Sequence, residues 1–269
     1  MDRAQKHLEI FVPGATHLEE RGALDAVIQL ATDWFIGFLG KGLAMRGTIF
    51  TDRRQAGKLL AQEVARRGYA DPVVLGLPRG GVPVAAEVAA VLRAPLDVLL
   101  VRKIGAPFQG ELAMGAVVDG DAPEIVRNED VVRELGVTDV EFQKAAKEEL
   151  EIIEARRALW VAGRARVALK DRTVIVVDDG IATGATILAS LHALKKQGPK
   201  RIVVATPVAP PGTVVSLLQA ADDVVCLKTP DYFRAVGSYY RDFSQVSDAR
   251  VTSILESTSK QPVSALRAS

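Results

Sequence analysis

Residues 174–186 read Val174-Ile175-Val176-Val177-Asp178-Asp179-Gly180-Ile181-Ala182-Thr183-Gly184-Ala185-Thr186. Four consecutive β-branched residues predict a strand buried on both faces, as in a parallel sheet, rather than an alternating strand with one wet face. Two adjacent carboxylates stand at the carboxyl end of that strand, and a run of small residues then opens a helix. Outward from this segment the pattern repeats. Short apolar runs at 73–77, 96–101, 202–205 and 224–227 alternate with helical patterns at about 52–67, 82–92, 184–197 and 211–220. One helix ends in Gln197-Gly198-Pro199, a glycine stop followed by proline, and the next opens after Ala209 on Pro210-Pro211, where proline suits a first turn. This alternation predicts an α/β fold with a doubly wound, mostly parallel sheet.

The small-residue loop has a physical use. Backbone N–H groups can close around a phosphate there, the following helix N-terminus adds its dipole, and Thr183 and Thr186 add hydroxyl donors. Asp178 and Asp179 would repel a phosphate, but they suit a ligand that also carries a vicinal diol, whose hydroxyls donate to carboxylates. A ribose 5-phosphate fits both halves. The segment is not a Walker loop, for which Gly-x-x-x-x-Gly-Lys-Ser/Thr is required, and Gly180 to Gly184 has the wrong spacing for a dinucleotide fingerprint. It resembles the signature by which type I phosphoribosyltransferases bind phosphoribosyl pyrophosphate (PRPP), and the order of elements resembles that family over residues 46–255. The resemblance implies that Asp178, Asp179, Gly180, Ala182, Thr183, Gly184, Ala185 and Thr186 bind PRPP. Both carboxylates are expected at a solvent-facing strand end.

Three further loops carry the resemblance. Leu77-Pro78-Arg79-Gly80-Gly81 matches the family's diphosphate loop, often built on a cis peptide. Its doubled glycine would let the backbone approach the oxygens, while Arg79 adds charge. Arg102-Lys103 resembles the stretch that opens a flexible catalytic lid, with Glu111 further along as a base or metal partner. Residues 229–243 resemble the base-binding segment of hypoxanthine-guanine members, which implies that Phe233 stacks on the base and Asp242 serves Mg²⁺ through PRPP. Each loop follows a predicted parallel strand at its carboxyl end, the edge where open α/β sheets bind ligands.

The implied activity is transfer of the 5-phosphoribosyl group from PRPP to a nitrogen acceptor such as a nucleobase, with Mg²⁺ as cofactor and release of diphosphate. Ala182 stands where the 6-oxopurine members carry an aspartate, which disfavours hypoxanthine and guanine. Two other classes remain open: a PRPP-sensing regulator without catalysis, and an α/β-hydrolase fragment. The latter rests on residues 1–45, whose strand, His17-bearing loop and helix resemble the end of a dienelactone-hydrolase-type domain. No nucleophile elbow precedes His17, so a base would stand without its nucleophile. This appendage is expected to be dispensable for ligand binding, and the enzyme domain is expected to span 46–257, with a frayed tail at 258–269.

Bulk properties narrow the partners. The chain has 269 residues, 48% hydrophobic and 25% charged, with a net charge of +1. That balance supplies a core and no reason to invoke nucleic acid or an acidic membrane. The start lacks a signal-peptide pattern and no apolar run approaches membrane-spanning length, so a cytosolic protein, free or as a homo-oligomer, is expected. The single cysteine, Cys226, sits in an apolar run and reads as a strand residue. A long helix is expected at 138–162, opened by the capping box of Thr138 and Glu141. Its many charges (Lys144, Lys147, Glu148, Glu149, Glu151, Glu154, Arg156 and Arg157) read as a solvated face.

Overall fold

The computed structural model describes residues 49–259, apart from 107, 108, 121, 122 and 162; side chains at 109–112 and 259 are not described. The expected appendage at 1–45, His17 included, and residues 260–269 lie outside the described residues. The last helix runs to Ser259, so the boundary expected at 258 falls inside it.

Helix α1 (Arg53–Arg66) begins where the Asp52 carboxylate accepts the Gln55 amide at 2.7 Å. There follow β1 (Pro72–Gly76), α2 (Gly81–Leu92) and β2 (Leu96–Val98). An antiparallel excursion, β3 (Val101–Ala106), β4 (Gln109–Val118) and β5 (Glu124–Arg127), leads to α3 (Glu129–Glu134) and α4 (Asp139–Val161). The chain then returns through β6 (Thr173–Val177), α5 (Ala185–Lys196), β7 (Arg201–Val208), α6 (Pro211–Ala220) and β8 (Asp223–Lys228), and ends in α7 (Asp248–Ser259).

Five strands form one parallel sheet in the order β2-β1-β6-β7-β8. All five residues of β6 are buried, as its unbroken β-branched run requires of a central strand. The chain moves one way from β1 to β2 and the other way from β6 through β8. Right-handed crossovers therefore set α2 on the opposite face from α5 and α6. Accordingly α2 packs with α1 and α7, while α5 packs with α6. The sheet is doubly wound and parallel, as the sequence predicts. Strand order reverses between β1 and β6, and a crevice opens there at the strands' carboxyl ends.

The second sheet, β3-β4-β5, is antiparallel, an element that the sequence pattern does not predict. Residues 96–101 read as one strand but divide between two sheets: β2 ends at Val98, and Val101 begins the hairpin. Helix α4 carries the expected capping box, Thr138 N donating to Glu141 Oε2 at 2.9 Å and Glu141 N to Thr138 Oγ1 at 3.3 Å. Phe142, Ala146, Ile153 and Trp160 form its buried stripe. Beside them Arg157 binds two buried carboxylates, Asp119 at 2.6 Å and Asp97 at 3.2 Å, and Arg166 joins Asp119 at 2.5 Å. The solvated-face reading of α4 is therefore corrected: part of its charge faces inward and fastens it to β2 and the end of β4.

Candidate functional site

The loop after β6 and the loop after β1 interlock at the switch point. A Cβ on Gly80 would collide with the Asp179 carboxylate, and one on Gly81 would lie 2.6 Å from the Val177 carbonyl oxygen. The doubled glycine is thus required by the contact between the two loops, whatever ligand approaches them. The Pro78–Arg79 peptide is cis. Arg79 Nη1 lies 3.7 Å from Asp248 Oδ1 at the start of α7, a long ion pair that leaves guanidinium hydrogens for another anion.

The two aspartates differ sharply. Asp179 is 9% exposed. Its carboxylate accepts Arg53 Nε at 2.7 Å, and its carbonyl accepts the Tyr240 hydroxyl at 2.5 Å. The expectation of a solvent-facing Asp179 is corrected, because Arg53 and Tyr240 close over it. Arg53 also donates to the Ser244 carbonyl at 2.8 Å and lies over the Phe243 ring at 3.8 Å. Asp178 is half-buried and accepts the Asp179 amide at 2.8 Å. Loss of water around its carboxyl, and next the charge of Asp179, push its pKa well above the ordinary carboxylate range.

Past the aspartates, the Ile181 amide is pinned to Val208 O at 2.9 Å and Ala182 O accepts the Thr213 hydroxyl at 2.6 Å. Gly184, at φ +77°, caps α5 in the left-handed region with no side-chain hydrogen bond. The first-turn amides of α5 are left for a ligand or water. Ala182, Thr183, Ala185 and Thr186 are exposed around them.

A cavity of about 230 Å³ adjoins this loop. Asp178 and Thr186 line one side, Leu77 and Pro78 the end of β1, Leu99 to Arg102 the second crossover, and Ile153, Arg156 and Trp160 of α4 the remainder. Arg102 is half-buried and donates to Glu149 of α4 at 2.6 Å. Arg102 and Lys103 do not open an irregular loop: both stand on β3, paired with Val117 and Ala116 of β4. Neighbours on a strand face opposite ways. Arg102 borders the cavity, while Lys103 is exposed and is not among the lining residues. Glu111 lies within β4 and its side chain is outside the description.

Phe233 stacks on Tyr239 with ring centroids 5.6 Å apart. Asp242 is exposed and accepts the Ser244 amide at 2.9 Å, which holds its pKa below the usual carboxylate range. Neither lines the cavity. Their segment is joined to the site through Arg53 and Tyr240, both of which clasp Asp179. Cys226 donates to Lys228 O at 3.1 Å, and burial pushes its thiol up to about 12, so it is an inert strand residue.

Sequence reasoning missed Arg53, Tyr240, Arg156 and Trp160. Arg53 did leave a signal: Arg53-Arg54 occupies the first turn of α1, with no acidic residue there, although cations are disfavoured at a helix N-terminus. Arg53 is held by Asp179, and Arg54 by Glu87 at 3.0 Å.

Residues 49–244 match the family model described as the phosphoribosyl transferase domain. Among curated proteins, "Putative phosphoribosyl transferase Rv0571c" of Mycobacterium tuberculosis H37Rv is 46% identical over 208 residues, covering 77% of this chain. The counterpart in strain CDC 1551 matches equally. The chain spans about half the length of these relatives, 46% of each. Among solved structures, TT1426 from Thermus thermophilus is 45% identical with a TM-score of 0.69, the match covering 77% of this chain and 98% of that one. The chain belongs to the phosphoribosyl transferase domain family.

Proposed function

We propose that this chain transfers the 5-phosphoribosyl group of PRPP to a nitrogen acceptor, most simply a nucleobase, with release of diphosphate. The observation that carries the reading is the meeting of Asp178 and Thr186, at the N-terminus of α5, on one cavity at the strand-order reversal. The free amides of α5 and the hydroxyls of Thr183 and Thr186 receive the 5-phosphate. Asp178 accepts the ribose hydroxyls, and Asp179, locked by Arg53, holds the loop in shape. Arg102 and Arg79 flank the departing diphosphate, whose developing charge they oppose.

Mg²⁺ fits this site as a passenger of the ligand. Among the described residues no group of three or more His, Cys, Asp or Glu is placed to hold a metal by itself. Asp178 nevertheless offers a carboxylate that burial and Asp179 make costly to ionise, and a nearby cation relieves that cost. A magnesium ion needs only one or two carboxylates when phosphate oxygens complete its shell. When bound, Mg²⁺ supplies neutralisation of the diphosphate charge. Ala182 carries no acid, so a 6-oxopurine acceptor lacks its partner on this loop.

Calorimetric titration with PRPP, with and without Mg²⁺, tests the reading, followed by diphosphate release in the presence of nitrogen acceptors. Saturable binding that requires Mg²⁺ is expected. Absence of PRPP binding by the wild-type chain sinks it, and binding without turnover on any acceptor turns it into a sensor.

A further inference from the structure

Two residues of the PRPP signature are already occupied by protein. Asp179 accepts Arg53 Nε on its carboxylate at 2.7 Å and the Tyr240 hydroxyl on its carbonyl at 2.5 Å. At Gly180 a Cβ would collide with the Val236 side chain, and no positive φ accounts for the glycine. Neither residue lines the cavity, whereas the neighbouring Asp178 does. The groups that cover them belong to one unit. Phe50 N donates to Tyr239 O at 2.8 Å, Arg241 N to Phe50 O at 2.8 Å and Asp242 N to Thr51 O at 2.9 Å, so residues 239–242 are laid along the chain that enters α1. Tyr240 packs against Phe50 and Phe243, with ring centroids 5.3 and 5.0 Å away. Phe233, the aromatic that the resemblance gives to the acceptor, stacks on Tyr239 of the same unit. Arg53 closes the arrangement: it donates to Ser244 O at 2.8 Å and lies over the Phe243 ring at 3.8 Å. A cation is disfavoured in the first turn of a helix, yet this one is held with a side chain only 12% exposed.

We infer that Asp179 and Gly180 seat the acceptor segment instead of contacting PRPP, and that Arg53 is the positioning residue through which the ligand loop and residues 229–244 stabilise each other. The inference rests on the reading of the β6 loop as the PRPP site and of residues 229–243 as the acceptor side; the clasp of Arg53 and Tyr240 on Asp179 does not. Displacement at C1 of the ribose needs the acceptor nitrogen and the departing diphosphate in line, and an error of about 1 Å can cost about 100-fold in rate. Asp178 and Asp179 are consecutive, so a loop that holds the ribose with one carboxylate holds the acceptor segment with the next. Coupling of this kind is reciprocal: PRPP steadies the segment by the same factor by which the segment tightens PRPP.

Hydrogen exchange reads the coupling at the amides of Arg241 and Asp242, which are bonded to Phe50 and Thr51. Saturating PRPP with Mg²⁺ is expected to slow both about tenfold in the wild type. A double variant, Arg53→Met with Asp179→Asn, leaves no stranded carboxylate. It is expected to lose that slowing and to bind PRPP about tenfold more weakly, the same factor. Gly180→Ala is expected to do likewise by pushing Val236 aside, and Val236→Ala added to it is expected to restore both. Each variant is compared with its own ligand-free exchange, so a change in overall stability cancels. Bound PRPP that leaves both amides unchanged in the wild type overturns the inference. Slowing that survives in the double variant also overturns it, and with affinity lost it returns Asp179 to the ribose. A ligand-free arm separates this inference from the reading beneath it: relative to the amides of β6, the double variant is expected to exchange both amides about tenfold faster than the wild type with nothing bound. That acceleration, in a wild type that binds no PRPP, sinks the phosphoribosyl reading and leaves Arg53 as the joint between loop and segment. Equal ligand-free exchange overturns the joint itself.

Discussion

The loop after β6 and the inner face of α4 both take carboxylates out of water, and they do so in opposite ways. Asp97 and Asp119 are the more buried, each 4% exposed, yet both are met by Arg157, and Asp119 also by Arg166. Asp178 is less buried, but Arg53, the cation that acts on it, donates to Asp179 and to the Ser244 carbonyl instead. The first cluster is complete within the protein and ties α4 to the sheet edge. The second has no such match among the described residues. A desolvated carboxylate beside a like charge, at the mouth of a crevice, is the mark of a site that a ligand completes.

The largest effect is expected where compensation is removed. Arg157→Met strands Asp97 and part of Asp119, and should cost roughly 3–5 kcal/mol, on the order of 10 °C in Tm for a chain of this size. A thermal melt decides it. A loss under about 1 kcal/mol, the worth of an ordinary exposed pair, would mean that Arg166 alone satisfies the cluster and that α4 is not fastened through Arg157.

Asp178→Asn should move stability the other way. The folded-state pKa of Asp178 is raised, so its favourable contribution is complete below the unfolded pKa and fades as pH climbs through the folded one. At neutral pH the wild type carries a burden that the amide lacks. The variant should therefore melt about 2–4 °C higher, a gain on the order of 1 kcal/mol, with the gap closing at acid pH. Its affinity for PRPP with Mg²⁺ should fall about 10- to 100-fold through lost charge-assisted contacts. Asp179→Asn should instead lower Tm at neutral pH, because Arg53 loses its carboxylate. Melts of both variants across pH, with and without PRPP, would expose any reversal of sign.

The same contrast explains what the sequence could and could not show. The strands of the parallel sheet were legible because residues buried on both faces, such as Val174 to Val177, leave unbroken β-branched runs. The loop after β6 was legible because a pair of carboxylates among small residues has few structural uses. The second sheet was not, since β4 is built from Gly115, Ala113 and Ala116 as much as from Met114 and Val117, and small residues blur the period of 2. Residues 96–101 also concealed a break between sheets. On α4, Glu149, Arg156 and Arg157 differ in nothing but angle from the solvated charges around them. They adjoin the stripe of Phe142, Ala146, Ile153 and Trp160, and only the docked helix shows that Glu149 and Arg157 pair with other elements and that Arg156, though exposed, borders the cavity.

Thr183→Val sharpens the comparison on the loop side alone. Thr183 is exposed and none of the hydrogen bonds among the described residues uses its hydroxyl, so the variant should melt as the wild type does. Its PRPP affinity should fall by about 1–3 kcal/mol for one lost phosphate contact. Calorimetry at fixed Mg²⁺ checks this; unchanged affinity would place the 5-phosphate on the α5 amides without help from that side chain.

The smallest effect belongs to Lys103. On β3 it points away from the cavity that Arg102 borders, so its charge acts on the departing diphosphate only from a distance and through solvent. Lys103→Ala should leave PRPP affinity in place and lower kcat by less than about threefold, whereas Arg102→Ala should cost about tenfold or more by removing a cation at the cavity wall. Diphosphate release measured over a range of PRPP concentrations separates kcat from KM for each variant. A ranking in which Lys103→Ala is the more damaging would show that the β3–β4 hairpin turns its other face to the ligand during turnover. The hairpin would then act as a moving lid.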